Sequence, residues 1–275
     1  MESTSTGQVS EMDALKAKLR ATWISGDFGE IAKFLATEAE GFINRLGLKP
    51  GTKVLDVACG TGNLSLPAAR LGANVTGIDI APNLIEQARA NAAREGLKAQ
   101  FDEGDAEALP YPDASFDATV TMYGAMFAPR PNVVAAELKR VTKPGGLIAM
   151  GNWTPTGFIG QMFKTTGKHV TPPSIPSPIL WGDEETVKTR FANGTSEVKS
   201  VRVPTPFVMP FSPAEVVDFF RDFYGPTKGA FNALDDNGKA ALKKDLTDLW
   251  ASQNRATDGT TDVESEYLEV TAIKA

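Results

Sequence analysis

The sequence has little of what redox centres, metal sites and basic surfaces require. It holds one cysteine, Cys59, and one histidine, His169. A single thiol excludes an internal disulfide and makes a cysteine-based metal site implausible. No apolar run approaches the roughly 18 residues that a membrane-spanning helix needs. Positive charge is not in excess: 28 Lys and Arg stand against 34 Asp and Glu, a net charge of -6. Such a chain repels phosphate backbones, which disfavours a nucleic-acid partner. The first ten residues are polar, rich in Ser and Thr, and carry no apolar leader. They read as a disordered tail, and the chain as a cytoplasmic protein with no membrane span.

The rest is ordinary globular material. Of 275 residues, 42% are hydrophobic and 23% charged, enough for one full core. Glu11 to Leu46 reads as helical, with a break near Ser25-Gly26. Beyond it Ile31, Phe34, Leu35, Ala39, Phe42 and Leu46 recur at three- and four-residue spacings and share a face. After Lys49-Pro50-Gly51, short apolar strands alternate with helices. Strands are predicted at Lys53 to Ala58, Asn74 to Ile80, Ala99 to Glu103, Phe116 to Met122 and Leu147 to Trp153. This rhythm specifies a parallel sheet with right-handed crossovers. Thr154 to Gly194 breaks it with Gly157, Gly160, Gly167 and a proline cluster, Pro172 to Pro178, and reads as an irregular insertion over the sheet edge. A strand at Ser196 to Pro204, helices near Pro213 to Phe223 and Lys239 to Ser252, and a strand at Glu264 to Ala275 complete one domain. Its parts are a tail (1–10), an N-terminal helical cap (11–48), a ligand-binding core (49–154), a cap insertion (155–195) and a C-terminal completion of the sheet (196–275).

Val54 to Asn63 (VLDVACGTGN) carries the chemistry. A buried strand runs into a glycine turn that opens a helix, the place where a doubly wound sheet binds nucleotide-like ligands. Gly60 and Gly62 lack a Cβ, so the backbone can turn tightly and a ligand can lie against it. Ser65 stands where the dinucleotide fingerprint has its third glycine, and no G-K-[ST] follows, so a phosphate cradle is not indicated. Asp79 lies 19 residues after Gly60 at the end of the second strand, where a carboxylate accepts from ribose hydroxyls. Gly104-Asp105-Ala106 follows the third strand, where a carboxylate can accept from an exocyclic amine.

The string DVACGTGNLSLPAARLGANVTGIDIAPNLIEQARANA resembles the core of class I S-adenosylmethionine-dependent methyltransferases, in the branch of the ubiquinone/menaquinone methyltransferase-like proteins. GDAEALPYPDASFDATVTMYGAMFAP and ELKRVTKPGGLIAMGNWTP extend the resemblance over residues 50–155. It implies an α/β, Rossmann-like fold: a seven-stranded, mostly parallel sheet with helices on both faces and a small cap. It implies S-adenosyl-L-methionine as cofactor and S-adenosyl-L-homocysteine as product. Asp56 and the loop from Gly60 to Gly62 would face the methionine part, Asp79 the ribose, and Asp105 with Ala106 the adenine. Met122 would lie against the cofactor, and Ala58, Asn63 and Ile80 complete the set.

Plainer readings stand beside these. Asp56 can hold loop amides, and Asp79 can cap a helix. Cys59 suits a crowded turn. Tyr123 and His169 are the candidate catalytic residues. Tyr123 follows the fourth strand, where an acceptor must sit, but can equally pack in the core; His169 is a general base or a solvated loop residue. Trp153 and Trp181 wall an apolar pocket or pin the cap, and the same choice applies to Phe158, Phe163, Ile179, Phe207 and Phe211. The expected reaction is metal-free, in-line methyl transfer to a small, partly apolar molecule. Two rivals are a non-methylating S-adenosylmethionine binder, pericyclase-like or regulatory, and a nicotinamide oxidoreductase. The missing third glycine and the Gly104-Asp105-Ala106 element count against the latter.

Overall fold

A computed structural model describes residues 5–275, with side chains from residue 11 onward. Three helices, α1 (Ser5–Ser25), α2 (Phe28–Ala32) and α3 (Ala36–Arg45), precede β1 (Lys53–Val57). There follow α4 (Ser65–Arg70), β2 (Asn74–Asp79), α5 (Pro82–Arg94), β3 (Ala99–Glu103), β4 (Phe116–Met122), α6 (Pro131–Val141) and β5 (Thr142–Trp153). The last part holds α7 (Phe158–Thr166), α8 (Glu184–Phe191), β6 (Thr195–Met209), α9 (Pro213–Phe223), α10 (Gly225–Asn232), α11 (Asp236–Gln253) and β7 (Thr261–Lys274).

The seven strands form one sheet in the order β3-β2-β1-β4-β5-β7-β6. β1 to β5 are parallel, and β7 runs antiparallel between β5 and β6. This is the expected Rossmann-like, mostly parallel sheet. Strand order reverses between β1 and β4, and the reversal opens a crevice at their carboxyl ends. Val54, Leu55, Ile78, Val120 and Ile148 are buried along the central strands. That continuous apolar character is what a parallel strand covered on both faces needs. Among the described residues no helix is long and apolar enough to cross a membrane.

Four local readings change. Ser5–Ser10, taken as tail, belong to α1, while residues 1–4 lie outside the described residues. Extending an existing helix costs far less than nucleating one, so polar composition does not stop it. The insertion is largely ordered as α7, a 3-10 turn at Pro178–Gly182, and α8, whose N-terminus Asp183 caps by accepting from the Thr186 N–H at 2.9 Å. Gly160 marks a close approach there rather than a break, since a Cβ would stand 2.3 Å from the Pro155 carbonyl oxygen. β6 runs past Pro204 and Pro206 to Met209 because it is an edge strand, where a missing N–H is tolerated. Between the two expected late helices lies a third, α10, which begins at Gly225-Pro226 with Pro in its first turn.

Candidate active site

The carboxyl ends of β1, β2, β3 and β4 surround a crevice partly open to solvent, about 1100 Å³ of empty space with its open mouth included. The turn after β1 supplies Asp56, Ala58, Gly60 and Asn63 to its wall. Ala58 and Gly60 take the left-handed conformation, at φ 56° and 53°. For alanine that costs about 1 kcal/mol, a strain held in place by the surrounding packing. Across the crevice the turn after β4 makes the same move at Tyr123, φ 58°. The two turns touch: a Cβ on Gly124 would lie 2.6 Å from both the Cβ and the carbonyl oxygen of Ala58. Only glycine lets these loops close on each other.

The charges in the cradle are mostly negative. Asp56 is buried, and its carboxylate accepts from the Ser65 hydroxyl at 2.6 Å. Burial pushes this carboxyl up to about 7, opposed by the Ser65 hydrogen bond and aided by the charge of Asp79. Asp79 also lines the cavity. One of its oxygens accepts from the Gly60 N–H and the other from the Ala81 N–H, both at 2.9 Å. Burial raises its pKa as well, against the pull of those backbone amides. Among the described residues neither carboxylate has a Lys or Arg partner. Buried carboxylates without cations disfavour a diphosphate and favour a ligand that brings positive charge and hydroxyls.

Ile80, Asp105, Ala106 and Met122 extend the wall. Asp105 accepts from the Glu107 N–H at 2.8 Å and from the Lys16 ammonium at 2.6 Å. The wall also carries larger side chains, those of Trp23, Phe28, Leu35, Tyr123 and Phe127, together with Ala39. Trp23 meets Phe28 and Phe127 edge to face, with ring centroids 6.0 and 5.1 Å apart. Tyr123 stacks on Trp153 at 3.8 Å, and burial holds its phenol well above the ordinary range.

Two candidate residues lie elsewhere. Gly62, at φ 90°, faces Leu66, Phe101 and Ala88, so it serves the packing of the turn on the helices behind it. His169 follows α7, and its Nε2 lies 2.9 Å from an Asp245 carboxylate oxygen on α11. It stands away from the cavity wall, where α7 leads the chain off the sheet. The aromatics of the insertion are also absent from the wall. Phe158 packs on Trp250 at 4.3 Å, Trp153 on Phe207 at 5.8 Å, and Trp181 is buried against Phe191. These rings bury one another. Lys16 and Leu19 line the cavity in their place. Sequence reasoning missed both, because nothing local connects Lys16 to an aspartate 89 positions away.

Sheet order, the β1 turn and the carboxylate-lined crevice define a Rossmann-like fold, and the domain matched in its core makes the chain an S-adenosylmethionine-dependent methyltransferase. Residues 55–150 match the family profile of the methyltransferase domain. The chain is 38% identical over 268 residues to protein Rv1405c of Mycobacterium tuberculosis, covering 96% of this chain and 97% of the relative. It is 37% identical over 124 residues to the demethylmenaquinone methyltransferase of Deinococcus radiodurans, 44% of this chain and 52% of that one. The crystal structure of the Bacillus subtilis protein YcgJ shares the fold, with a TM-score of 0.60 at 18% identity over 86% of this chain and 98% of that one. The chain belongs to one family with this mycobacterial protein, which it matches over nearly its whole length, and carries the methyltransferase domain in its core. Its cofactor is S-adenosyl-L-methionine. The cradle suits it: among the described residues Asp56 and Asp79 lack cation partners, and the lysine on the cavity wall, Lys16, is paired with Asp105 and Glu107.

Proposed function

We propose that this methyltransferase acts on a small, at least partly apolar molecule by direct in-line displacement, and that its core belongs to the ubiquinone/menaquinone methyltransferase-like branch. The observation that carries the reading is the mixed lining of the cavity. Asp56, Asp79 and Asp105 share its wall with the apolar side chains of Trp23, Phe28, Leu35 and Phe127. An apolar wall with few polar groups is the usual form of a small-molecule site. The likeness to the Deinococcus enzyme supports the branch.

The cofactor supplies an already activated methyl group. What the chain contributes is binding, orientation and exclusion of water. Asp56, with Ala58, Gly60 and Asn63, holds the methionine part. Asp79 and Ile80 hold the ribose, Asp105 and Ala106 the adenine. Met122 and Tyr123 close the space around the transferring methyl. The Tyr123 phenol, raised by burial, stays protonated and acts as wall rather than base. Helices within residues 11–48 form the cap, since α1 to α3 supply Lys16, Leu19, Trp23, Phe28 and Ala39 to the cavity.

The test is binding in the presence of S-adenosylhomocysteine at about 0.15 M salt. Small phenols and quinones should bind, and less well to Trp23→Ala, while RNA should not. Tight, salt-sensitive RNA binding contradicts the proposal.

A further inference from the structure

The carboxylate of Glu107 is wholly buried. A protein interior tolerates such a group only when cations and hydrogen bonds satisfy it. Here the Lys16 ammonium lies 2.6 Å away, and the carboxylate accepts from the Nε and the backbone N–H of Arg130 at 2.7 and 2.5 Å. Arg130 stands between Pro129 and Pro131, neither of which has an N–H. Its amide is therefore the one backbone donor over residues 129–131, and Glu107 takes it. Arg130 also caps the start of α6, so the carboxylate stands at a helix N-terminus, where negative charge is favoured.

The backbone of Glu107 faces the other way. It belongs to a tight turn in which the Glu107 N–H donates to the Asp105 carboxylate at 2.8 Å and the Ala108 N–H to the Asp105 carbonyl at 3.0 Å. Asp105 and Ala106 line the cavity, and so do Phe127, Ala128 and Pro129, just before Arg130. The near end of that second stretch is already fixed, because the Tyr123 N–H donates to the Gly151 carbonyl at 2.8 Å. Glu107 fixes its far end.

We propose that Glu107 is a positioning residue that couples cofactor to acceptor: it ties the turn at Asp105–Ala106 to the Phe127–Pro129 stretch of the wall, so that seating the nucleoside orders the surface the acceptor meets. The inference rests on the reading of Asp105 and Ala106 as the adenine contact. The coupling runs through one unbroken chain, from the Asp105 carboxylate through the Glu107 amide and carboxylate to the Arg130 amide. It is reciprocal, so an ordered Phe127–Pro129 stretch also favours the nucleoside by the same factor.

The experiment is hydrogen exchange of the Phe127, Ala128 and Arg130 amides in the full chain, read by NMR with and without saturating adenosine, which carries the adenine and ribose but no methionine part. In wild type, adenosine should slow their exchange about tenfold. In Glu107→Gln the slowing should vanish, although adenosine still binds. Arg130→Met, which removes a partly exposed guanidinium and leaves the buried carboxylate with Lys16, should keep the fold and lose about half of the effect on a logarithmic scale. That variant carries the test if Glu107→Gln does not fold. A merely structural Glu107 would speed exchange with and without adenosine alike and leave their ratio as in wild type, and that result overturns the proposal. Adenosine that binds wild type without slowing these amides also overturns it. Failure of wild type to bind adenosine overturns the reading of the adenine contact, and the coupling with it.

Discussion

Asp79 holds the Gly60 amide at 2.9 Å, so the end of β2 fixes the turn that follows β1. The same carboxylate lines the cavity, and it therefore serves both loop and ligand. Asp79→Ala removes an acceptor from the Gly60 and Ala81 N–H groups as well as from the cofactor. A lost charge-assisted hydrogen bond is worth roughly 1.5–3 kcal/mol, so S-adenosylhomocysteine should bind about 10- to 100-fold more weakly. The melting temperature should fall too, because two buried amides lose their partner. Calorimetric titration and thermal melts check both. Asp79→Asn, which retains one carbonyl acceptor, should recover more stability than affinity.

Asp56 gives the protein a pH dependence of definite sign. Its carboxyl is pushed from 3.8 to about 7, chiefly by burial. The folded chain then holds this proton more tightly than the unfolded chain does. The associated stability is complete below the unfolded pKa and is lost as pH rises toward 7. The unliganded protein should melt at a lower temperature at pH 8 than at pH 5.5, by about 3 °C or more. Asp56→Asn should flatten that slope. Affinity for S-adenosylmethionine, a cation at its sulfur, should move the opposite way and rise severalfold from pH 6 to pH 8 in wild type.

His169 offers the contrary case. Its ring sits beside Asp245 at 2.9 Å, on α7's exit rather than the cavity wall. His169→Gln should leave S-adenosylhomocysteine affinity within about twofold. Turnover should remain within about tenfold, because a general base would be worth at least 10²-fold. A thousandfold loss of turnover with intact binding would return His169 to the chemistry.

The strand-turn-helix from Lys53 to Arg70 and the strand ending at Asp79 were legible because their cues are local. A buried parallel strand reads as an unbroken apolar run, and a glycine turn sits where the ligand lies. The choice at Trp153, Phe158 and Trp181 stayed open for the opposite reason. Apolar residues declare burial but not which face of the sheet covers them, and here they bury one another instead of an acceptor. Lys16 and Arg20 were invisible because their partners Asp105 and Glu103 lie far along the chain, and only the tertiary path of α1 joins them. Pro204 and Pro206 shortened the expected β6 because sequence does not say which strand is the edge.

The central claim is methyl transfer to a small acceptor. The direct measurement uses methyl-labelled S-adenosylmethionine, incubated with the protein and either the organic-extractable metabolites or the RNA and protein of its cell of origin. Label should pass into an organic-extractable small molecule, with matching release of S-adenosylhomocysteine, and this should fall in Trp23→Ala. Label confined to RNA or protein, or S-adenosylmethionine bound tightly with no label transferred to any fraction, would contradict the account.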